Sequence, residues 1–171
     1  MVEKPNYDVV KKLNDVEIRR YENLIVAKVE GSEDNFDILF RYISGGNKQK
    51  AKVSMTAPVI STSEKIGMTA SVLEDANSLA FILPSSFTLG TTPEPLDGRI
   101  RIIEIPSRHL GVIRFSGRWS NSIFEGKTRQ LLKELTNAGI GTIGQPFSML
   151  YNPPFMPWFL RRNEVAVEVK P

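Results

Sequence analysis

The chain has 171 residues, of which 41% are hydrophobic and 24% are charged, a composition typical of one globular domain spanning residues 1–171. It contains no cysteine, which excludes disulfides, thiolate metal sites and a cysteine nucleophile. Its 22 basic and 19 acidic side chains give a net charge of only +3, and no segment approaches the ~20 apolar residues of a membrane span. We therefore expect a cytoplasmic monomer with no nucleic-acid partner and no membrane span.

The first half of the chain predicts two strands followed by a helix. Residues 16–31 are rich in β-branched side chains around a short polar turn, which indicates a pair of strands. Polar residues at 32–34 suit a helix N-terminus, and Gly45-Gly46 suits its end. Between these signals, apolar side chains recur with helical spacing. They are Phe36, Leu39, Phe40 and Ile43.

The second half of the chain repeats this pattern. Residues 99–117 predict two further strands, and Ser122-Ile-Phe-Glu125 has the spacing of a capping box that begins a second helix. Gly139 is suited to ending that helix. Its apolar face comprises Leu131, Leu132, Leu135 and Ala138.

Strand-like segments at 79–83 and 165–169 complete two pseudo-repeats, at about residues 16–84 and 100–169, with residues 91–98 as a turn-rich connector. Each pseudo-repeat is one copy of a duplicated ββαββ unit. The prediction is an α+β fold in which both sheets join into one curved antiparallel sheet or barrel, with a helix packed by each half. A cleft between the halves would suit a small molecule.

Several motifs favour structural interpretations. Gly139-Ile-Gly-Thr-Ile-Gly144 follows a helix and so presents no helix N-terminus to a pyrophosphate. His109 is the only histidine, which leaves no evident catalytic triad and no metal cage. Glu164 could lie in the cleft with Arg161, Arg162 or Tyr151, but a strand-terminal ion pair of small energetic value explains it more simply. We predict no catalytic residue and no metal site.

A proline-stiffened loop, residues 151–160, carries several large apolar side chains that a helix cannot hide. They are Phe155, Met156, Trp158 and Phe159. Two interpretations remain open, either a lid over one end of a core or the rim of an apolar ligand pocket.

Three motifs carry a family resemblance: Met55-Thr-Ala-Pro-Val59, Tyr151-Asn-Pro-Pro154 and Arg161-Arg-Asn-Glu-Val165. With them the chain resembles the SOUL family of haem-binding proteins from about Tyr7 to Val169. The resemblance implies a distorted antiparallel β-barrel with two helices, an architecture similar to the effector-binding domains of multidrug-responsive regulators. It also implies that haem or another tetrapyrrole binds in an apolar cleft between the first helix and the Pro-Pro loop.

The resemblance places the tetrapyrrole site at seven residues of this chain. They are Phe36, Leu39, Phe40, Arg41, Phe155, Met156 and Trp158. The chain also departs from the family pattern. Glu33 and Met156 stand where haem-binding relatives carry basic residues, and Arg20 stands where some relatives carry an iron-ligating histidine.

Three functions follow from these observations. The first is a non-enzymatic carrier or buffer of haem or a related tetrapyrrole, held mainly by apolar contact. The second is a small-molecule sensor that acts through a partner protein, because its architecture is similar to that of effector-binding domains. The third is a hydrolase that uses Glu164 with Tyr151 and Trp158, which requires a raised pKa on the glutamate.

Overall fold

The computed structural model describes residues 4–31, 34–62, 78–151 and 156–171. The described residues form an α+β fold with two α-helices, which confirms the predicted class. In chain order the elements are β1 (Tyr7–Lys12), β2 (Val16–Tyr21), β3 (Leu24–Glu30), α1 (Asn35–Ile43), β4 (Thr56–Thr62), β5 (Ser78–Ile82), β6 (Arg101–Ile105), β7 (Arg108–Phe115), α2 (Asn121–Asn137), β8 (Thr142–Leu150), a 3-10 turn (Trp158–Leu160) and β9 (Asn163–Val169).

The chain forms two compact units, and unit 1 is built mainly from Leu24–Ile105. Its strands pair antiparallel in the order β4-β5-β3-β6. Helix α1 packs on β3 and β5 and buries one face there. The resulting core is apolar. Its most deeply buried members are Ala27, Val29, Ile38, Leu39, Tyr42 and Phe81.

Unit 2 comprises Pro5–Asn23 and Pro106–Pro171. Its strands pair antiparallel in the order β1-β2-β7-β9-β8, and α2 packs on β7 and β9. Gly111 on β7 allows that close approach, because a Cβ there would lie 3.1 Å from both methyl carbons of Leu135 on α2. The apolar core between helix and sheet includes Val16, Ile18, Ile113, Leu131, Leu135, Val165 and Val167.

The predicted barrel is wrong, because the strands do not close. In the described residues β1 has only β2 as a partner, and β6 has only β3. Closure requires the first and last strands of a sheet to hydrogen-bond, and these two strands end the order as edges. The fold is therefore an open antiparallel arrangement with helices, as the broader prediction of a curved sheet allowed.

Helix α2 begins earlier than predicted. The prediction of a capping box at Ser122-Ile-Phe-Glu125 is wrong, because Ser120 is the N-cap and its side chain accepts a hydrogen bond from the Ile123 amide at 3.2 Å. Ser122 therefore lies inside the first turn. The end of α2 agrees with the prediction, since Gly139 follows it with a φ of +74°, and β8 then begins without a new helix.

Candidate functional site

The outer face of α1 carries two exposed aromatic side chains. Phe36 is 47% exposed and Phe40 is 49% exposed, and they lie one turn apart. Their rings are nearly parallel, with centroids 6.1 Å apart. Phe36 also contacts the buried Phe81 edge-to-face, at 5.3 Å between centroids, so the core holds it in place. Unit 1 thus presents a fixed apolar surface, which we call the α1 aromatic pair.

The predicted apolar stripe of α1 is divided between core and solvent. Leu39 is fully buried and Ile43 is 6% exposed, whereas Phe36 and Phe40 lie at the edge of the buried face and are about half exposed. Because Ile38 is buried as well, the buried stripe of α1 is shifted by one residue towards the N-terminus relative to the predicted stripe. Leu39 therefore supports the helix from within the core and offers no surface to a ligand.

Arg41 lies next to the α1 aromatic pair and is exposed. Its charge contributes to lowering the pKa of Asp97 to about 2, although hydrogen bonds from Arg99 are the main cause of that shift. Arg99 forms the closer ion pair with Asp97, at 2.7 Å. Arg41 thus adds an exposed positive charge to the helix that carries the two aromatic rings.

In unit 2, the remaining predicted site residues lie before and within the 3-10 turn. Met156 is half-buried and Trp158 is 47% exposed, while the predicted contact Phe155 lies outside the described residues. The carbonyl of Trp158 accepts a hydrogen bond from the amide of Gly117 at 3.0 Å, and the guanidinium of Arg118 lies 5.5 Å from the indole centroid. These contacts hold the turn against the segment that precedes α2.

The most highly charged interior of the described chain surrounds Glu164. This residue follows the first position of β9 and is fully buried, as is Arg19 on β2 at 2% exposure. Two guanidinium nitrogens of Arg19 donate to the two carboxylate oxygens, at 2.9 and 2.8 Å. Arg162 donates to the same carboxylate at 2.9 Å. The pair is therefore not the exposed strand-terminal contact that the sequence suggested, because both partners are buried and water is excluded from it.

Three tyrosines complete this cluster, which we call the Arg19–Glu164 network. The hydroxyl of Tyr21 accepts a hydrogen bond from Arg19 at 3.0 Å, and that of Tyr7 accepts one from Arg162 at 3.2 Å. The ring of Tyr7 lies 4.3 Å from the guanidinium of Arg19. The guanidinium of Arg162 lies 4.0 Å from the ring centroid of Tyr151. The network therefore pairs each of its two arginines with both a hydrogen bond and an aromatic face.

The network stabilises the ionised form of Glu164. Burial opposes ionisation, but the hydrogen bonds and charges of Arg19 and Arg162 outweigh it and hold the pKa of Glu164 below its ordinary value. Burial, together with the negative charge of Glu164, raises the pKa of Tyr151. A general base must accept a proton near neutral pH, so a carboxylate held in this ionised form is poorly suited to that chemistry.

The iron-ligating position of some relatives is occupied by an ion pair here. Arg20 lies directly opposite His109 where β2 pairs with β7. Its guanidinium contacts Asp8 and, at 3.5 Å, Glu22. Among the described residues, no three His, Cys, Asp or Glu side chains are grouped as metal ligands.

A concavity of about 230 Å³ lies beside the Arg19–Glu164 network, and neither phenylalanine of the α1 aromatic pair is among the residues that line it. Its lining is mainly polar and of mixed charge, including Lys12, Asp15, Glu17 and Arg19. Four of the five N–H donors of Arg19 are already used by Glu17, Tyr21 and Glu164, so this side chain offers little to a ligand there. This concavity does not provide the apolar site that the sequence predicts.

Sequence reasoning missed Arg19, although a signal for it exists. Glu17, Arg19 and Tyr21 alternate along β2, so they share one face of the strand, while Val16 and Ile18 share the other. A polar face that repeats every second residue is normally interpreted as solvated. The buried network shows that here the same pattern marks a paired interior.

Comparison with known proteins places the chain in a wider group. The family described as SOUL heme-binding protein matches residues 2–168. The structure is similar to the C-terminal domain of EcmrR, with a TM-score of 0.60, 11% identity, and coverage of 96% of this chain and 98% of that domain. It is also similar to EcmrR in its complex with DNA, with a TM-score of 0.63 and 11% identity, over 91% of this chain and 57% of that one.

A structure titled as a hydrolase from Listeria innocua has a TM-score of 0.57 and 8% identity, with coverage of 99% of this chain and 93% of its own. At these identities the similarity establishes a shared fold and nothing further. Among curated proteins, no sequence matches the chain. In the described part of the chain, neither helix has the length and apolarity needed to cross a bilayer.

Proposed function

Because the chain belongs to the SOUL heme-binding protein family, we propose that it binds haem or a related tetrapyrrole as a non-enzymatic carrier or buffer. The α1 aromatic pair carries this proposal. Phe36 and Phe40 leave about half of each side chain in water. Exposed aromatic pairs of this kind mark ligand-binding surfaces more often than scattered apolar residues do.

A flat macrocycle suits this surface. The two rings of the α1 aromatic pair are nearly parallel, and Phe36 is held by Phe81, so little side-chain entropy is lost on binding. Each Å² of apolar surface removed from water contributes about 25 cal/mol. With Arg20 in place of an axial histidine, apolar contact must supply most of the affinity, and we expect dissociation constants on the order of micromolar.

Arg41 is the proposed partner of a propionate. It is exposed beside the aromatic pair, and its described acidic neighbour Asp97 already has the closer partner Arg99. An exposed arginine contributes orientation more than energy, because such ion pairs are worth about 0–1 kcal/mol. In unit 2, Met156 and Trp158, together with Phe155, remain predicted ligand contacts from the family resemblance.

A ligand sensor acting through a partner protein is the second candidate. The similarity to the C-terminal domain of EcmrR over 96% of this chain supports it at the level of architecture. The third candidate, a hydrolase using Glu164, is disfavoured because the pKa of that residue is lowered, whereas the reaction needs it raised. The similarity to a structure described as a hydrolase does not change this chemistry.

We also propose that residues 16–84 and 100–169 are duplicated halves of a single SOUL-like domain. Both segments have the element order ββαββ. The pairing pattern supports the proposal, since β6-β3-β5-β4 in unit 1 corresponds to β2-β7-β9-β8 in unit 2. In this correspondence each unit takes its first strand from the other half of the chain.

The test of the binding proposal is a haem titration monitored by absorbance. We expect the double variant Phe36→Ser/Phe40→Ser to bind haem at least about tenfold more weakly than the wild type, because the apolar contact is lost. The control is Val10→Ser/Leu89→Ser, which removes side chains that are 56% and 53% exposed elsewhere. Unchanged affinity in the α1 variant, or an equal loss in the control, would overturn the proposal.

A further inference from the structure

The 3-10 turn of unit 2 exposes more apolar surface than any other three consecutive residues described. Trp158, Phe159 and Leu160 are 47%, 59% and 61% exposed. Trp158 and Phe159 meet edge-to-face, with centroids 5.4 Å apart. An exposed group of this kind is costly in water, so an environment that removes it from water is expected.

The charge around this turn is positive. Residues 116–120 and 156–162 contain three arginines and no acidic residue. Arg162 is neutralised inside the molecule by Glu164. Arg118 has no acidic partner among the described residues, and its guanidinium lies over the indole of Trp158. Arg161 donates through Nε to the carbonyl of Met156 at 2.9 Å, which holds its positive charge beside the turn.

We propose that this turn docks on the surface of an anionic lipid bilayer. Tryptophan favours the boundary between headgroups and acyl chains, and phenylalanine and leucine favour the apolar region beneath it. Arginines at the edge of such a group attract acidic headgroups and keep their own charge in the headgroup layer. This occupant fits both the apolar tip and the cationic rim, and the proposal does not depend on haem binding.

The backbone of the turn is suited to this role because it is anchored to the rest of unit 2. The Gly117 amide donates to the carbonyl of Trp158, and the amide of Leu160 donates to the carbonyl of Pro157 at 2.9 Å. The exposed side chains are therefore presented on a fixed turn, and docking requires little ordering of the chain. No bilayer-spanning segment is needed for this mode of attachment.

The first experiment is co-sedimentation of the full-length, haem-free protein with vesicles of phosphatidylcholine alone and of phosphatidylcholine mixed with phosphatidylserine. We expect binding to the mixed vesicles, weakened about tenfold or more in Phe159→Ser/Leu160→Ser and about fivefold in Arg118→Gln. High salt should weaken it as well. The matched control is Leu89→Ser/Leu96→Ser, whose side chains are 53% and 64% exposed in unit 1.

A second readout reports the turn directly. In a Trp119→Phe background, Trp158 is the single remaining tryptophan, because the chain has only two. Its emission should shift to the blue when mixed vesicles are added, as the indole leaves water. Absence of both sedimentation and shift would overturn the proposal, as would equal binding by the Phe159→Ser/Leu160→Ser variant. Concentration-dependent self-association that this variant abolishes, without vesicle binding, would instead assign the turn to a second copy of the chain.

Discussion

The two units bury different chemistry under similar strand pairings. Unit 1 encloses a core of apolar residues around Phe81, and no charged side chain described in unit 1 is buried. Unit 2 has an apolar core beneath α2, but it also buries the Arg19–Glu164 network. The apolar surface that we propose for a ligand lies outside the core of unit 1, on α1. A buried group of charges and an exposed pair of aromatic rings are therefore different kinds of feature. Of the two, only the exposed rings favour a binding surface in this protein.

The network and the core also differ in what they specify. Apolar contacts tolerate rearrangement when volume is preserved. A bidentate pair between β2 and β9 tolerates none, because any shift of one strand leaves a charge unpaired in an interior without water. The network therefore fixes the relation between strands that are distant in sequence.

The largest expected effect comes from breaking the network. Arg19→Met should lower the free energy of unfolding by about 3–5 kcal/mol, because Glu164 keeps its charge in the interior and loses its bidentate partner. The measurement is urea unfolding monitored by circular dichroism. Lys12→Met is the control, since Lys12 is 73% exposed and its ion pair with Glu17 is long, at 3.9 Å. A loss no larger than that of the control would mean that the network is solvated.

In unit 1 the corresponding test separates core from surface on one helix. Leu39→Ala should cost about 2–5 kcal/mol of unfolding free energy, because the side chain is fully buried. Phe36→Asp should cost less than this and should weaken tetrapyrrole binding more than it weakens the fold. Thermal unfolding and haem titration of both variants provide the comparison. Collapse of the fold in Phe36→Asp would place Phe36 in the core.

Much of the order of strands and helices could be predicted from the sequence, but the side of α1 that faces the core could not. The order of strands and helices follows from β-rich pairs, helical spacing and glycine stops. Apolar residues occupy positions 36, 38, 39, 40, 42 and 43 of α1, so two overlapping stripes fit the same segment. Only packing against β3 and β5 selects the stripe that includes Ile38 and Tyr42.

Arg19 and Glu164 could not be paired from the sequence because 145 positions separate them. Their burial is a consequence of strand pairing, since β2 and β9 are both neighbours of β7. The capping box failed for a local reason, as an equally good cap at Ser120 lay two residues earlier.

Removing both charges of the pair should cost less than removing one. Arg19→Met/Glu164→Leu replaces the bidentate pair by apolar groups, and such replacements are often close to neutral. The charge that loses its acidic partner is then Arg162, whose side chain is 16% exposed and so can still be hydrated. We expect the double variant to be about 1–3 kcal/mol more stable than Arg19→Met in the same urea titration. A double variant as unstable as the single one would show that the two side chains act independently.

The pH dependence provides a smaller effect with a definite sign. The folded-state pKa of Glu164 lies below its ordinary value of 4.5. Its contribution to stability is therefore complete above about pH 4.5 and is lost as the pH falls through the lower folded value. The difference in unfolding free energy between the wild type and Glu164→Gln should shrink over that acidic window. A difference that stays constant from neutral pH into this window would contradict the assigned charge state.

The smallest effect concerns the predicted loop contact in unit 2. If Met156 occupies the position of a basic residue in haem-binding relatives, Met156→Lys adds a partner for a propionate, worth about 1 kcal/mol at an exposed rim. Haem affinity should then rise about twofold to fivefold, and high salt should reduce the gain. Met156→Gln is the uncharged control. Equal affinities for both variants at low salt would remove Met156 from the site.

The central claim is that a tetrapyrrole lies on the α1 aromatic pair, and proton NMR with a diamagnetic zinc porphyrin tests it most directly. A macrocycle stacked on these rings must shift the ring-proton resonances of Phe36 and Phe40 through its ring current. The account predicts large shifts at these two residues and small ones at Phe115 and Phe124, which lie in unit 2. Shifts confined to the unit 2 phenylalanines, with Phe36 and Phe40 unmoved under saturating porphyrin, would contradict it.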